Sequence, residues 1–122
     1  AALGGRLAAA VDLAGGDPEQ VRGEHVTEVA RRGDAEARLV LEELAGWIAL
    51  GLANLVNILD PQLVVMGGGL VEAADLLLPT VRTSVQDRIL AGARRPTVAI
   101  EPAVLGEQAG AIGAALLATG DV

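Results

Sequence analysis

The 122-residue chain has no cysteine, no phenylalanine and no tyrosine, a single tryptophan, Trp47, and a single histidine, His25. Without cysteine there is no disulfide, no thiolate nucleophile and no cysteine-bound zinc. One imidazole with no second histidine at helical spacing makes a poor metal site. Nor does the sequence fix Glu24 or Glu28 as a partner for general-base work, so His25 is expected on a helix surface. Lysine is also missing: all nine basic residues are arginine, and the net charge is −7. With no basic helix and no aromatic stacking platform, no nucleic-acid binding by this chain is expected. No charged-then-apolar leader with a cleavage site is seen, so secretion is not indicated. The longest apolar run, residues 44–59, contains Asn54 and Asn57 and is short for a membrane span. A buried helix is expected there, and no membrane partner.

What is present is aliphatic. Hydrophobic residues make up 52% of the chain, so its core must be built from alanine and branched aliphatics. The length allows one domain, able to bury about two-thirds of its unfolded surface.

Breakers divide the chain. Residues 3–13 read as a helix ended by Gly15-Gly16, and Asp17-Pro18 opens a turn. A short helix over 24–32 follows, with Gly33 at its C-cap and Asp34 as N-cap of the next. That next helix runs from Ala35 to Leu59. Its first part is amphipathic, with Glu36, Arg38, Glu42 and Glu43 available to water; from Leu44 it is apolar on every side, which implies burial all round. Ala45, Ala49 and Ala53, four apart, form a flat ridge where another backbone can approach closely. Pro61 disfavours helical geometry at Asp60 and ends the helix. Leu63 to Met66 reads as a buried strand. A helix over 71–90, bent or restarted near Pro79 and closed by Gly92, leads to a second strand over 97–101 and a terminal helix over 107–118. A strand, crossover helix and strand are expected to be parallel. Two strands are too few for a stable sheet, so the chain is read as part of a domain. The abrupt helix without an initiator methionine is read as truncation or proteolysis.

The chief candidate site is Gly67, Gly68, Gly69 and Leu70, directly after the first strand. A strand emptying into bare backbone at a helix N-terminus is how open α/β sheets make room for a nucleotide. The same glycines also suit a tight strand-to-helix turn that needs positive φ. Gly106-Glu107-Gln108-Ala109-Gly110 is either a second edge of that site or a loop with Glu107 favourably placed near a helix start. Asn54 and Asn57 share a helix face; they bond a ligand, cap the Asp60-Pro61 turn or satisfy neighbouring backbone, the last being the usual role. Glu42, Glu43, Glu72, Asp75 and Asp87 read as solvated helix faces. Trp47 is expected to fill a helix-packing gap.

Three segments carry a resemblance: NLVNILDPQLVVMGGGL from Asn54 to Leu70; AGGDPE from Ala14 with HVTE from His25 and RGD from Arg32; and LGEQAGAIGAA from Leu105. In this order and spacing they resemble the ROK family, sugar kinases and repressors on the actin/hexokinase-like (ribonuclease H-like) ATPase fold. The segment from Ala14 to Asp34 is similar to a connection typical of ROK glucokinases of high-GC bacteria. The resemblance implies an α/β fold, the C-terminal portion of a nucleotide-binding lobe with a short parallel βαβ unit. It implies that Gly67 to Leu70 lie against the adenosine of ATP, with Mg2+ and ATP serving the full-length protein. The hexose would be bound through an N-terminal portion not seen here. The family's catalytic aspartate, its Glu-x-Gly-His segment and its cysteine-rich zinc motif all lie upstream, so no catalytic residue and no metal ligand is expected in this chain. A cytoplasmic homo-oligomer is implied. The alternatives are the ligand-sensing half-domain of a ROK repressor, or an α/β piece serving chiefly in subunit packing.

Overall fold

The computed structural model describes residues 7–120, apart from the side chain of Glu107. Its helices are α1 (Ala8–Leu13), α2 (Gly23–Arg31), α3 (Ala35–Leu59), α4 (Ala74–Arg88) and α5 (Ala109–Thr119), with strands β1 (Leu63–Met66) and β2 (Ala99–Pro102). Residues 3–6 of the first expected helix, and the capping role suggested for the Glu107 side chain, lie outside the described residues.

Helix α3 organises the rest. The Asp34 carboxylate accepts the Ala37 N–H at 2.8 Å, satisfying one of the four amides a helix start leaves unpaired. At the far end Asp60 takes a left-handed conformation, φ 48°. Aspartate tolerates this better than most residues, and Pro61 blocks further helix. Ala45, Ala49 and Ala53 are buried along one stripe with Ala37, Leu41 and Val56. With only methyl groups on that ridge, α4 packs close, presenting Leu77, Leu78, Val81 and Val85. Each fully buried branched side chain there contributes about 1.5–3 kcal/mol. Helix α2 packs on another part of α3, and α1 packs on α2.

Strands β1 and β2 pair in parallel, with Leu63 opposite Ala99 and Met66 opposite Pro102. Arg82 of α4 donates from Nε and Nη2 to the Ile100 carbonyl, at 2.9 and 2.7 Å, and also pairs with Glu101. This ties the second strand to the crossover helix. The Asn57 side-chain oxygen accepts the Leu90 N–H at 2.9 Å, so Asn57 does satisfy neighbouring backbone.

Several expectations need correction. Residues 44–59 are not buried all round: Trp47, Leu55, Ile58 and Leu59 are 66, 50, 77 and 68% exposed. Trp47 therefore fills no packing gap, because it projects from the side of α3 opposite the alanine ridge, where no described element lies. By length and composition α3 could cross a membrane, although its alanine stripe is already packed on α4. Strand β1 is only half covered: Val64 and Met66 face the helices, while Leu63 and Val65 are exposed. The helix expected over 71–90 begins as a 3-10 segment, Gly68–Ala73, and α4 then runs through Pro79 without restarting. Proline there forfeits one hydrogen bond of the ladder, which the packing on α3 offsets. Strand β2 starts at Ala99 rather than residue 97, since pairing with β1 fixes its register.

Gly92 does not close α4, which ends at Arg88 with Ile89 as its cap; it opens a 3-10 turn, Gly92–Arg94. A Cβ at Gly92 would lie 2.4 Å from the Gln86 carbonyl oxygen. Gly92→Ala is expected to cost about 1–3 kcal/mol, as overpacking against backbone does, measured by urea unfolding. Unchanged stability would contradict the close approach.

Candidate functional site

Parallel strands end side by side, so the loops that follow them meet. Here the Ala103 N–H donates to the Met66 carbonyl at 2.8 Å, extending the pairing past both strands. The turn at Gly67, Gly68 and Gly69 therefore lies beside the turn that leads into the 3-10 segment Gly106–Gln108 and α5. This is the carboxyl edge of the sheet, where open α/β folds hold their ligands.

The three glycines are not equivalent. Gly68 has φ +71°, a conformation costly for any residue with a Cβ. Gly67 is extended, and a Cβ on it would rest 3.9 Å from the Ala103 Cβ, an ordinary contact. Gly69 has no positive φ, and a Cβ there would meet nothing within 4 Å. The tight-turn explanation thus accounts for Gly68 alone. Gly67 and Gly69 keep backbone bare where the fold itself has room for side chains.

Beyond the turn the chain forms one wall of an open cavity of about 1030 Å³, roomy enough for a nucleotide-sized ligand. Gly69, Leu70, Glu72 and Ala73 make that wall. The opposite wall is the start of α2, from Arg22 to Thr27, with Glu28 and Arg31 farther along. Val40, Leu41 and Leu44 of α3 and Leu77 of α4 supply an apolar floor. The floor suits a flat, weakly polar ring, and the charged rim suits polar substituents. Leu70 is 38% exposed at the edge of the wall. Of the four residues named from sequence, Gly69 and Leu70 line the cavity; Gly67 and Gly68 stand outside its lining, at the strand end.

His25 is half-buried rather than a free surface residue. Its Nδ1 accepts the Arg22 N–H at 3.0 Å, so the ring folds back over the start of α2. The Thr27 hydroxyl donates to the Gly23 carbonyl at 2.9 Å. Asp75 is exposed, as expected of a solvated face, but it also pairs with Arg31. Asn54 is exposed on α3 and takes no part in the cavity. Gly106 and Gln108 do not line it either. Among the described residues no three histidine or acidic side chains gather as a metal site.

The α2 wall was missed in the sequence. Arg31 and its partner Glu72 are 41 residues apart, and no spacing rule joins them. The available signal was local: Gly23 followed by an amphipathic helix with Val26, Thr27, Val29 and Ala30 turned inward.

The ROK family model matches residues 5–121. Glucokinase of Streptomyces coelicolor is 39% identical over 106 residues, covering 87% of this chain and 33% of that protein. N-acetyl-D-glucosamine kinase of Shigella boydii is 35% identical over 103 residues, covering 81% and 32%. Among solved structures, a ROK family glucokinase from Streptomyces griseus in complex with glucose and AMPPNP overlays with a TM-score of 0.81 at 36% identity. That overlay spans 90% of this chain and 35% of that one. A structure from Cytophaga hutchinsonii, at 24% identity and a TM-score of 0.71, shares the fold. The chain belongs to the ROK family, and its helix-rich fold with a short parallel sheet is that of part of an actin/hexokinase-like domain. It spans about a third of the length of the relatives it matches.

Gly68→Ala is expected to lower stability by about 1–2 kcal/mol through the left-handed strain alone, whereas Gly69→Ala is expected to be close to neutral. Comparative urea unfolding checks this; equal costs at the two positions would contradict the assigned backbone conformations.

Proposed function

We propose that this chain is the C-terminal, nucleotide-binding part of a ROK sugar kinase of glucokinase type. In the full-length protein the γ-phosphoryl of ATP would pass to a hexose hydroxyl. The observation that carries this reading is the glycine excess: bare backbone at Gly67 and Gly69 that the turn does not require, with Gly69 lining the cavity and Gly67 at the strand end beside it. Support comes from the Streptomyces griseus relative, whose structure holds glucose and AMPPNP. The kinase names of the other relatives favour this branch over a repressor.

In this reading Gly67 and Gly68 admit the nucleotide to the main chain at the strand end. Gly69 and Leu70 flank its base or ribose, and Val40, Leu41 and Leu44 shield one face from water. Phosphoryl transfer further needs a base at the acceptor hydroxyl and a cation on the phosphates. Among the described residues no three histidine or acidic side chains gather, and Mg2+ is assigned to no residue of this chain. The hexose site and the catalytic groups belong to the rest of the polypeptide. The uncovered sides of α3 and β1 are read as contact surfaces for that remainder and for a second subunit of a cytoplasmic homo-oligomer.

Gly69→Val separates this reading from a merely structural one, because a Cβ at Gly69 meets nothing in the fold but would stand in the proposed ligand path. In the full-length kinase the variant is expected to raise KM for ATP about tenfold or more, with KM for glucose and thermal stability little changed. The isolated chain is expected to phosphorylate no hexose. An unaltered KM for ATP, or turnover by the isolated chain at an ordinary kinase rate, would overturn the proposal.

A further inference from the structure

The two walls of the cavity are joined by one side chain. Helix α2 packs on α1 and α3. Among the described residues, its side-chain hydrogen bonds to the segment from Gly68 to Arg88 all come from Arg31. The Arg31 Nη2 donates to the Glu72 carbonyl at 2.6 Å and to the Asp75 carboxylate at 2.7 Å. Glu72 lies in the 3-10 segment that leaves the glycine turn, and Asp75 lies in the first turn of α4. A negative charge is favourable at a helix start, which suits Asp75 in the first turn of α4, and the Arg31 guanidinium is its hydrogen-bond partner.

The position of this contact matters more than its strength. Arg31 is in the last turn of α2, and both its partners lie just past Gly69 and Leu70. The floor beneath is built from α3 and α4 side chains, with α2 packed on α3 and the 3-10 segment packed on α4, and the Arg31 bonds are the side-chain link that spans the two walls above it. Two bonds from one guanidinium nitrogen link the walls there, and a lysine ammonium would have to reach the same two acceptors from a shorter stem.

We propose that Arg31 is a positioning residue that clasps α2 to the segment after the glycine turn, and so sets the width of the nucleotide cavity. The inference rests on the nucleotide reading above and adds to it a bond between two residues of the cavity's lining that sets its width. Opening the clasp leaves the strand-end turn and the catalytic groups in place. Its effect therefore falls on nucleotide affinity and not on the chemical step.

The test uses the full-length kinase with Arg31→Met, Arg31→Lys, Asp75→Asn and the charge swap Arg31→Asp with Asp75→Arg. Arg31 and Asp75 are both exposed, and an exposed pair adds little to stability, so all four variants are expected to fold. Arg31→Met is expected to raise KM for ATP about five- to tenfold with kcat within about twofold, since a bond to a charged donor is lost at a partly exposed site. Arg31→Lys and Asp75→Asn are expected to fall between Arg31→Met and wild type, and the charge swap to recover part of the loss. Hydrogen exchange of the amides from Gly69 to Ala73, measured without nucleotide, is expected to quicken in Arg31→Met. Unchanged KM and unchanged exchange in that variant would overturn the clasp alone. A wild-type protein that does not use ATP would overturn the nucleotide reading and the clasp with it.

Discussion

The close approach of α3 and α4 along Ala45, Ala49 and Ala53 is the constraint on which the molecule depends. Any larger side chain on that ridge would push the helices apart, because interiors are close-packed and absorb even one methylene poorly. Since α2 hangs from α3 and the glycine turn feeds α4, both walls of the cavity take their positions from this one helix. Strand β2 is fixed in turn by Arg82 of α4 through the Ile100 carbonyl. The ridge thus places the carboxyl edge of the sheet as well as the cavity beside it.

On that frame the functional argument turns on a surplus of glycine. A turn with one left-handed residue needs one glycine, and this one has three. Glycine weakens a structure through the conformational freedom it loses on folding, so two that the fold does not require point to something approaching the backbone there. The apolar floor and charged rim next to them have the character of a site for a flat ring bearing polar groups. The fold alone would not license a function; the bare backbone and the family membership point the same way.

Much of the framework was legible in the sequence because local chemistry decided it. Asp34, Gly33 and Pro61 mark ends that capping and sterics dictate, and Leu63 to Met66 lies between breakers too close together for a helix. The alanine ridge was visible as a spacing. What could not be read depended on partners distant in the chain. Apolar content predicted burial for Trp47 and Ile58, yet hydrophobicity says only that a surface wants covering, and no described element covers that side of α3. The start of β2 was set by its pairing with β1 rather than by Thr97 and Val98. The α2 wall escaped for the same reason: its role exists only once Arg31 meets Glu72 and Asp75. Within the candidate site, Gly69 and Leu70 line a cavity whose other half carried no motif.

The measurement that bears most directly on this account is an amide-resolved NMR titration of the chain with ADP. The account expects weak binding, with shifts concentrated at Gly67 to Ala73 and at Arg22 to Thr27. It expects none at the opposite end of the sheet, where Asp60 to Gln62 and Arg95 to Val98 line a smaller cavity of about 410 Å³. Shifts confined to that smaller cavity, or a glycine turn untouched at saturating ADP, would contradict it.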